Sequence, residues 1–357
     1  MNEKPTPPYK VLIVDDSAVV RKTLREIYSS DPELEVAGTA PDALIALRML
    51  GEKKIDVISL DVQMPRMDGL TFLERLMKSN PMPVVMVSAL TTQGSKEALR
   101  SLELGAVDIV EKPKLGVKEA LEDLSIQICD KIKAAAISKL KTPHQRFLTP
   151  AKKFTIDDVL PQKITAPRSG AESLIAIGSS TGGTIALNNV LSPLPADMPG
   201  IVVVQHMPKA FTESFANSLN SDSKLTVFEA KEGDKVERGK VLIAPGDQHM
   251  MLKLVGNDYV VSLNSGELVN RHRPSVDVLF RSVSNLGGKN SVGVILTGMG
   301  DDGAKGLVDM HNTGSLTIAQ NEESCVVYGM PRKAVESGAV DEILNLEGIV
   351  KRLIQLR

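Results

Sequence analysis

Tryptophan is absent from this 357-residue chain, and phenylalanine and tyrosine bring the aromatic share to only 3%. That removes the ring platforms on which single-stranded nucleic acid stacks. An excess of positive charge is missing too, since 42 Lys and Arg face 44 Asp and Glu for a net charge of -2. Nothing in that balance attracts a phosphate backbone, and no basic helix-turn-helix stands out, so no nucleic-acid partner is expected. Cysteine is limited to Cys129 and Cys325, far apart and without metal-ligand spacing, which reads as two buried thiols. No apolar run reaches the length of a spanning helix, so direct membrane insertion is not expected. The first residues, Met1 to Pro8, are polar and proline-rich and lack the apolar core of a secretory signal, which points to the cytoplasm.

What is present is an ordinary globular mixture, 42% hydrophobic and 24% charged, in a chain longer than one hydrophobic core supports. Two domains are expected. From Lys10 to about Pro113, apolar runs at Lys10–Val14, Glu33–Gly38, Ile55–Leu60, Pro83–Val87 and Val107–Val110 alternate with helix-period segments, the pattern of a parallel sheet covered on both faces. Asp15 and Asp16 follow the first run and Asp61 the third, at strand ends that form the ligand-binding edge of an open sheet. Crowded carboxylates repel, and Mg²⁺ would neutralise them while coordinating a phosphoryl oxygen. Ser88 ends the fourth run and Lys112 follows the fifth, so a hydroxyl and an ammonium can reach the oxygens of a phosphorylated Asp61. An acidic residue at a strand end can also simply cap the next helix, as Asp16 and Ser17 could. Five residues in this order, with Leu60-Asp61-Val62-Gln63-Met64-Pro65-Arg66-Met67-Asp68-Gly69, resemble the phosphoacceptor site of bacterial response-regulator receivers.

Apolar residues at helical spacing from Val117 to Leu140 read as the last helix of that half, giving a receiver over residues 8–140. Residues 141–171 hold four prolines among lysines, threonines and serines and read as a linker, with Thr155–Leu160 at most a turn of helix. The second domain, 172–357, resumes with strands at Leu174–Ile177, Ile201–Gln205, Val241–Ala244, Val292–Thr297 and Leu316–Ala319. Met250–Leu263, split by Gly256-Asn257-Asp258, looks like a hairpin and suggests a mixed sheet.

Ser180 ends an apolar strand in Gly178-Ser179-Ser180-Thr181-Gly182-Gly183, where a helix begins. A serine hydroxyl is a poor nucleophile at neutral pH and needs a positioned base and N–H donors for the developing oxyanion. His206 directly follows the strand Ile201–Gln205, and Asp301 and Asp302 lie just past Val292–Thr297, at the same carboxyl edge. Serine, imidazole and carboxylate are the parts of an acyl-transfer site. Spacing does not separate Asp301 from Asp302, and His249 and His272 sit on loops that could line a cleft. The window Gly178–Gly182 also fits the nucleophile elbow of α/β-hydrolases, but their order is Ser, Asp or Glu, then His, and a His-Gly-Gly-Gly segment is missing.

Four segments carry a closer resemblance: Ser180-Thr181-Gly182-Gly183, Gln205-His206-Met207-Pro208, Asn270-Arg271-His272-Arg273-Pro274-Ser275-Val276-Asp277 and Ile295-Leu296-Thr297-Gly298-Met299-Gly300. Together with the fused receiver they resemble the chemotaxis receptor methylesterase family. The resemblance implies two doubly wound α/β domains, an N-terminal flavodoxin-like receiver and a C-terminal mostly parallel esterase domain, joined by a linker. It implies a triad of Ser180, His206 and Asp302, with Thr181 and Met299 contributing to the oxyanion environment. It implies hydrolysis of glutamate γ-methyl esters on methyl-accepting chemoreceptors, deamidation of receptor glutamines, and no cofactor for the ester step. It further implies a chemotaxis histidine kinase as phosphodonor for Asp61, Mg²⁺ in the receiver, recruitment to receptor arrays, and a receiver that covers the cleft until phosphorylated. Ser179 and Asp301 stand where that family usually has alanine and asparagine. The competing readings are a regulator with a DNA-binding output and a deamidase acting mainly on glutamine.

Overall fold

Continuous apolar runs become central strands here because both faces of a parallel sheet are covered by helices. The computed structural model describes residues 5–89, 92–113, 118–138, 155–162, 173–286 and 288–357. The chain divides into two compact units, Met1–Leu148 and Thr149–Arg357.

The first unit runs β1 (Tyr9–Val14), α1 (Ala18–Ser29), β2 (Leu34–Ala40), α2 (Ala43–Glu52), β3 (Val57–Asp61), α3 (Gly69–Ser79), β4 (Val84–Ser88), α4 (Thr92–Glu103), β5 (Asp108–Glu111) and α5 (Lys118–Ala136). Its five strands are all parallel in the order β2-β1-β3-β4-β5, which is the flavodoxin-like winding. The order reverses between β1 and β3, so the loops after those two strands diverge and open a crevice at their carboxyl ends. The strand readings hold to within two residues, and β3 extends to include Asp61 itself. The last helix stops at Ala136, before the expected Leu140, which lies outside the described residues along with most of the linker.

The second unit continues with α6 (Ile156–Val159), β6 (Leu174–Ser179), α7 (Gly183–Leu191), β7 (Gly200–Gln205), α8 (Lys209–Asp222), β8 (Thr226–Glu229), β9 (Lys240–Ile243), β10 (His249–Val255), β11 (Asp258–Asn264), α9 (Val276–Ser284), β12 (Ser291–Ile295), α10 (Ala304–Asn312), β13 (Leu316–Gln320), α11 (Met330–Glu336), β14 (Glu342–Leu344) and α12 (Leu346–Gln355). Seven strands form one parallel sheet, β14-β13-β12-β6-β7-β9-β8. Every residue of β6, β7 and β12 is buried, and they carry the core with Phe280 and Val283 of α9 and Leu307 and Met310 of α10.

The mixed sheet expected from the hairpin is not what forms. Both sides of β9 are already occupied, by β7 and the edge strand β8, so β10 and β11 form a separate two-stranded sheet, with β11 bridged further to Lys235 in the loop after β8. Ser282 of α9 instead accepts the Leu252 N–H at 3.1 Å, fixing the hairpin to that helix. The winding reverses between β6 and β12, the second switch point of the molecule.

Candidate functional site

At the β1/β3 switch point the first unit gathers charge. Asp15 and Asp61 are buried, Asp16 is exposed, and one ligand oxygen from each of the three lies within 4.8 Å of the others. Lys112 Nζ sits 2.9 Å from Asp15 Oδ2 and 2.8 Å from Asp61 Oδ2, a single cation serving two buried carboxylates. Burial pushes the Asp61 carboxyl up to about 6, against the pull of Lys112 and with the help of Asp15. Burial alone would lower Lys112, but its bonds to Asp61 and Asp15 hold it above the usual lysine value. Ser88 is buried at the carboxyl end of the neighbouring β4, so the five expected residues share one edge. The helix-capping alternative falls to Ser17, whose Oγ accepts the Val20 N–H while its own N–H binds Asp15 Oδ1 at 2.8 Å. Asp16 is left facing outward. An all-oxygen donor set of this size suits a hard divalent cation.

The β6/β12 switch point of the second unit is built differently. Strands β6 and β7 pair in register up to Ser179 and Gln205, so Ser180 and His206 leave adjacent strand ends about 4.8 Å apart. The His206 N–H binds Ser179 O at 3.1 Å, and the Ser180 N–H binds Thr297 O of the loop after β12 at 3.0 Å. Gly182 takes φ +77° to turn the chain into α7, and a Cβ there would meet Val326 at 2.5 Å. The amino terminus of α7, with its positive dipole end, therefore follows Ser180 directly.

His206 Nε2 lies 2.8 Å from Asp302 Oδ2, both side chains buried. The other ring nitrogen, Nδ1, is buried with no hydrogen-bond partner. When Nε2–H donates to the carboxylate, Nδ1 is the ring nitrogen left to accept a proton. This reverses the ring relative to the usual serine-hydrolase template, where Nδ1 faces the acid. The His272 ring stacks on His206, centroids 3.8 Å apart and planes 13° from parallel.

Asp302 accepts five donors. Asn270 Nδ2 (3.0 Å), Ser275 Oγ (2.7 Å) and the Asp277 N–H (3.4 Å) reach Oδ1, while the Val276 N–H (2.7 Å) and His206 reach Oδ2. The carboxylate thus sits on the first turn of α9, where unpaired amides and the helix dipole favour negative charge. Burial works to raise its pKa, yet the His206 imidazole, then the His272 ring and the bond from Asn270, hold it well below the ordinary carboxylate range. Asp277, buried beside it, is pushed upward by burial and by the Asp302 charge. One amide nitrogen, Asn270 Nδ2, bridges both, 2.7 Å from Asp277 Oδ2.

Asn270 and Arg271 hold this position from a tight turn closed by reciprocal Val269–His272 backbone bonds, with φ of +49° and +69°. Such values cost little at asparagine but more at arginine, and this strain lies where the acid is held.

The ambiguous pairs now separate. Asp302 contacts His206, while Asp301 is exposed, and Gly303, not either aspartate, occupies the cap of α10. Ser179 is fully buried with its hydroxyl 2.7 Å from Gln205 Oε1, and Gln205 Nε2 in turn reaches Ser180 O at 3.0 Å. Its extra hydroxyl braces the turn. Thr181 is buried beside Ser180 and gives its carbonyl to Thr297 Oγ1 at 3.0 Å; Met299 is half-buried in the β12 loop. His249 is not a cleft residue: its Nε2 lies 2.8 Å from Glu267 O and its Nδ1 accepts the Ser275 N–H at 3.2 Å, so the ring is neutral and props the acid's anchor. Burial lowers its pKa. Asn270, Ser275 and Asp277 had no role assigned from sequence. The signal was present, since a serine followed by an apolar run with an acid in its first turn is a helix start.

Comparison with known proteins agrees with both units. Residues 175–353 match the CheB methylesterase family, and residues 11–122 match the response regulator receiver domain. The chain is 49% identical to protein-glutamate methylesterase/protein-glutamine glutaminase 1 of Geobacter metallireducens, covering 98% of this chain and 96% of the relative. It is 51% identical to protein-glutamate methylesterase/protein-glutamine glutaminase 2 of Rhodospirillum rubrum, covering 97% and 98%. The crystal structure of the Thermotoga maritima CheB methylesterase catalytic domain aligns with a TM-score of 0.52 at 41% identity, over 52% of this chain and all of that one. With a family match over half its length and relatives near 50% identity over almost all of it, the chain belongs to the CheB methylesterase family and carries a response regulator receiver domain.

Proposed function

We propose that this protein is a phosphorylation-activated serine hydrolase that removes methyl groups from glutamate γ-methyl esters of chemoreceptors and deamidates specific receptor glutamines, providing adaptation in chemotaxis. The observation that carries the catalytic reading is the buried His206–Asp302 bond at 2.8 Å with Nδ1 left unpartnered beside the Ser180 turn. In this mechanism Nδ1 takes the Ser180 hydroxyl proton as Oγ bonds to the ester carbonyl carbon. The resulting imidazolium is shared with Asp302, whose five donors keep it ionised and in place. Collapse of the tetrahedral species breaks the bond to methoxide, which leaves as methanol with the proton from Nδ1. Water, deprotonated by the same nitrogen, then hydrolyses the acyl-serine to glutamate. With an amide substrate the leaving group is ammonia.

The Ser180 N–H is bound to Thr297 O, and in this reading the backbone around Thr181 and the Met299 loop contribute the oxyanion environment. In the receiver, Asp61 is the phosphoacceptor, with Ser88 and Lys112 binding the phosphoryl oxygens. Asp15, Asp16 and Asp61 would hold Mg²⁺, whose charge offsets that of carboxylates and phosphoryl group. The phosphodonor is a chemotaxis histidine kinase, and the protein works in the cytoplasm at receptor arrays. Among the described residues no helix is long and apolar enough to cross a membrane.

The test is release of methanol from methylated receptor fragments and of ammonia from their glutamine forms. Wild type releases both and Ser180→Ala neither; methanol release that persists in Ser180→Ala refutes the assignment.

A further inference from the structure

The described part of the linker, Thr155 to Gln162, is folded against the second unit, and what it touches is the scaffold of Asp302. Asp158 makes the turn self-supporting, its Oδ2 accepting the Thr155 N–H at 2.7 Å and the Thr155 hydroxyl at 3.0 Å. Ile156 is buried in a small cluster with Val269 and Val278, with Val159 and Met251 packed on its margin. Val269 immediately precedes the strained Asn270-Arg271 turn, and Val278 lies in the first turn of α9. These are the two backbone segments that supply four of the five donors to Asp302: Asn270 from the turn, and Ser275, Val276 and Asp277 from the helix start.

Polar contacts fix the same segment. Arg281 of α9, itself buried, donates from Nε to Asp309 Oδ2 at 2.6 Å and from Nη1 to Asp157 and to Leu160 O. Gln162 Nε2 reaches Asp309 Oδ1 at 3.0 Å, and Asn285 Nδ2 reaches Pro161 O at 3.2 Å. A mere tether needs none of these.

We infer that residues 155–162 are a positioning clamp for the catalytic acid: by packing Ile156 behind the Asn270 turn and the α9 start, and pinning Asp157 to Arg281, they hold Asp302 in line with His206. The clamp rests on the catalytic reading given above. It acts through Asp302 and not on substrate, so undocking it lowers turnover and leaves substrate binding alone. It also makes the linker a place where events upstream in the chain can reach the catalytic centre.

The test uses the full-length protein with Mg²⁺ and phosphodonor, and compares wild type with Ile156→Ala, Asp157→Ala and Asp157→Glu. Asp157 is mostly exposed, so its alanine variant folds even if the Ile156 variant is destabilised. The expected result is a fall in kcat of roughly tenfold for Ile156→Ala and a smaller one for Asp157→Ala, as a slight misplacement of a catalytic group produces. KM stays unchanged, Asp157→Glu restores kcat, and the NMR signal of the His206 Nε2 proton broadens in the alanine variants. An unchanged kcat and proton signal in both alanine variants overturns the clamp, as does a rise in KM alone. If wild type itself releases no methanol, the functional reading fails, and the proton signal still decides the clamp.

Discussion

Two buried carboxylates stand at two switch points of two parallel sheets, and they are treated in opposite ways. Asp61 shares one lysine with Asp15 and is pushed up to about 6 by burial, whereas Asp302 collects five donors and is held far down. On the proposed reading Asp61 must react and meet a cation, and it is left with few partners, because every hydrogen bond it already has must be given up. A carboxylate that must orient a neighbour is saturated, because each donor removes a direction in which it could move. The same fold position thus yields a sparsely bonded carboxylate or a saturated one according to the loops that surround it.

The sharpest way to break this contrast is at the serine that the fixed acid serves. Ser180→Ala should cut methanol release by about 10⁴-fold or more, to the level left by binding alone. Asp302→Asn comes next: an amide cannot accept from all five donors and turns the imidazole to the wrong tautomer, so kcat should fall by about 10³- to 10⁴-fold with the fold retained by circular dichroism. At the other switch point, Asp61→Ala should leave basal release intact and abolish only the increase caused by a phosphodonor; loss of basal release would deny the division of labour.

Why the pair of sites was legible in part follows from where the information lies. Asp15, Asp61, Ser180 and His206 each follow or end an apolar strand, and strand ends can be read from local pattern. The saturation of Asp302 cannot, since its donors come from residues 25 to 96 positions away in the chain. Spacing likewise could not choose between Asp301 and Asp302, a choice made by which side chain turns inward. Strands β8 and β14 escaped because they are short, half-polar edges of four and three residues. The hairpin was seen, but its separation from the main sheet depends on β9 being filled on both sides, a property of the assembled sheet.

Smaller effects probe the supports. His249 is neutral in the fold, its pKa lowered by burial, so its contribution to stability is complete above the ordinary histidine value near 6.5 and is lost as pH falls through the depressed one. Thermal melts of the full chain between pH 7 and 5 should show this loss, and His249→Gln should flatten the slope by at most about one proton. An unchanged slope would remove His249 from the acid's support. The smallest effect is expected at Ser179→Ala, which deletes one hydrogen bond to Gln205 and should cost about 1 kcal/mol of stability with kcat within about twofold of wild type. A large fall in kcat there would mean that the second hydroxyl belongs to the chemistry.

The coupling of the two sites is tested most directly by methanol release from methylated receptor fragments in Mg²⁺, with and without a small-molecule phosphodonor, in wild type and Asp61→Ala. Release should rise with phosphodonor in wild type and not in the variant. Equal release in wild type under both conditions, or a rise that survives in Asp61→Ala, would contradict it.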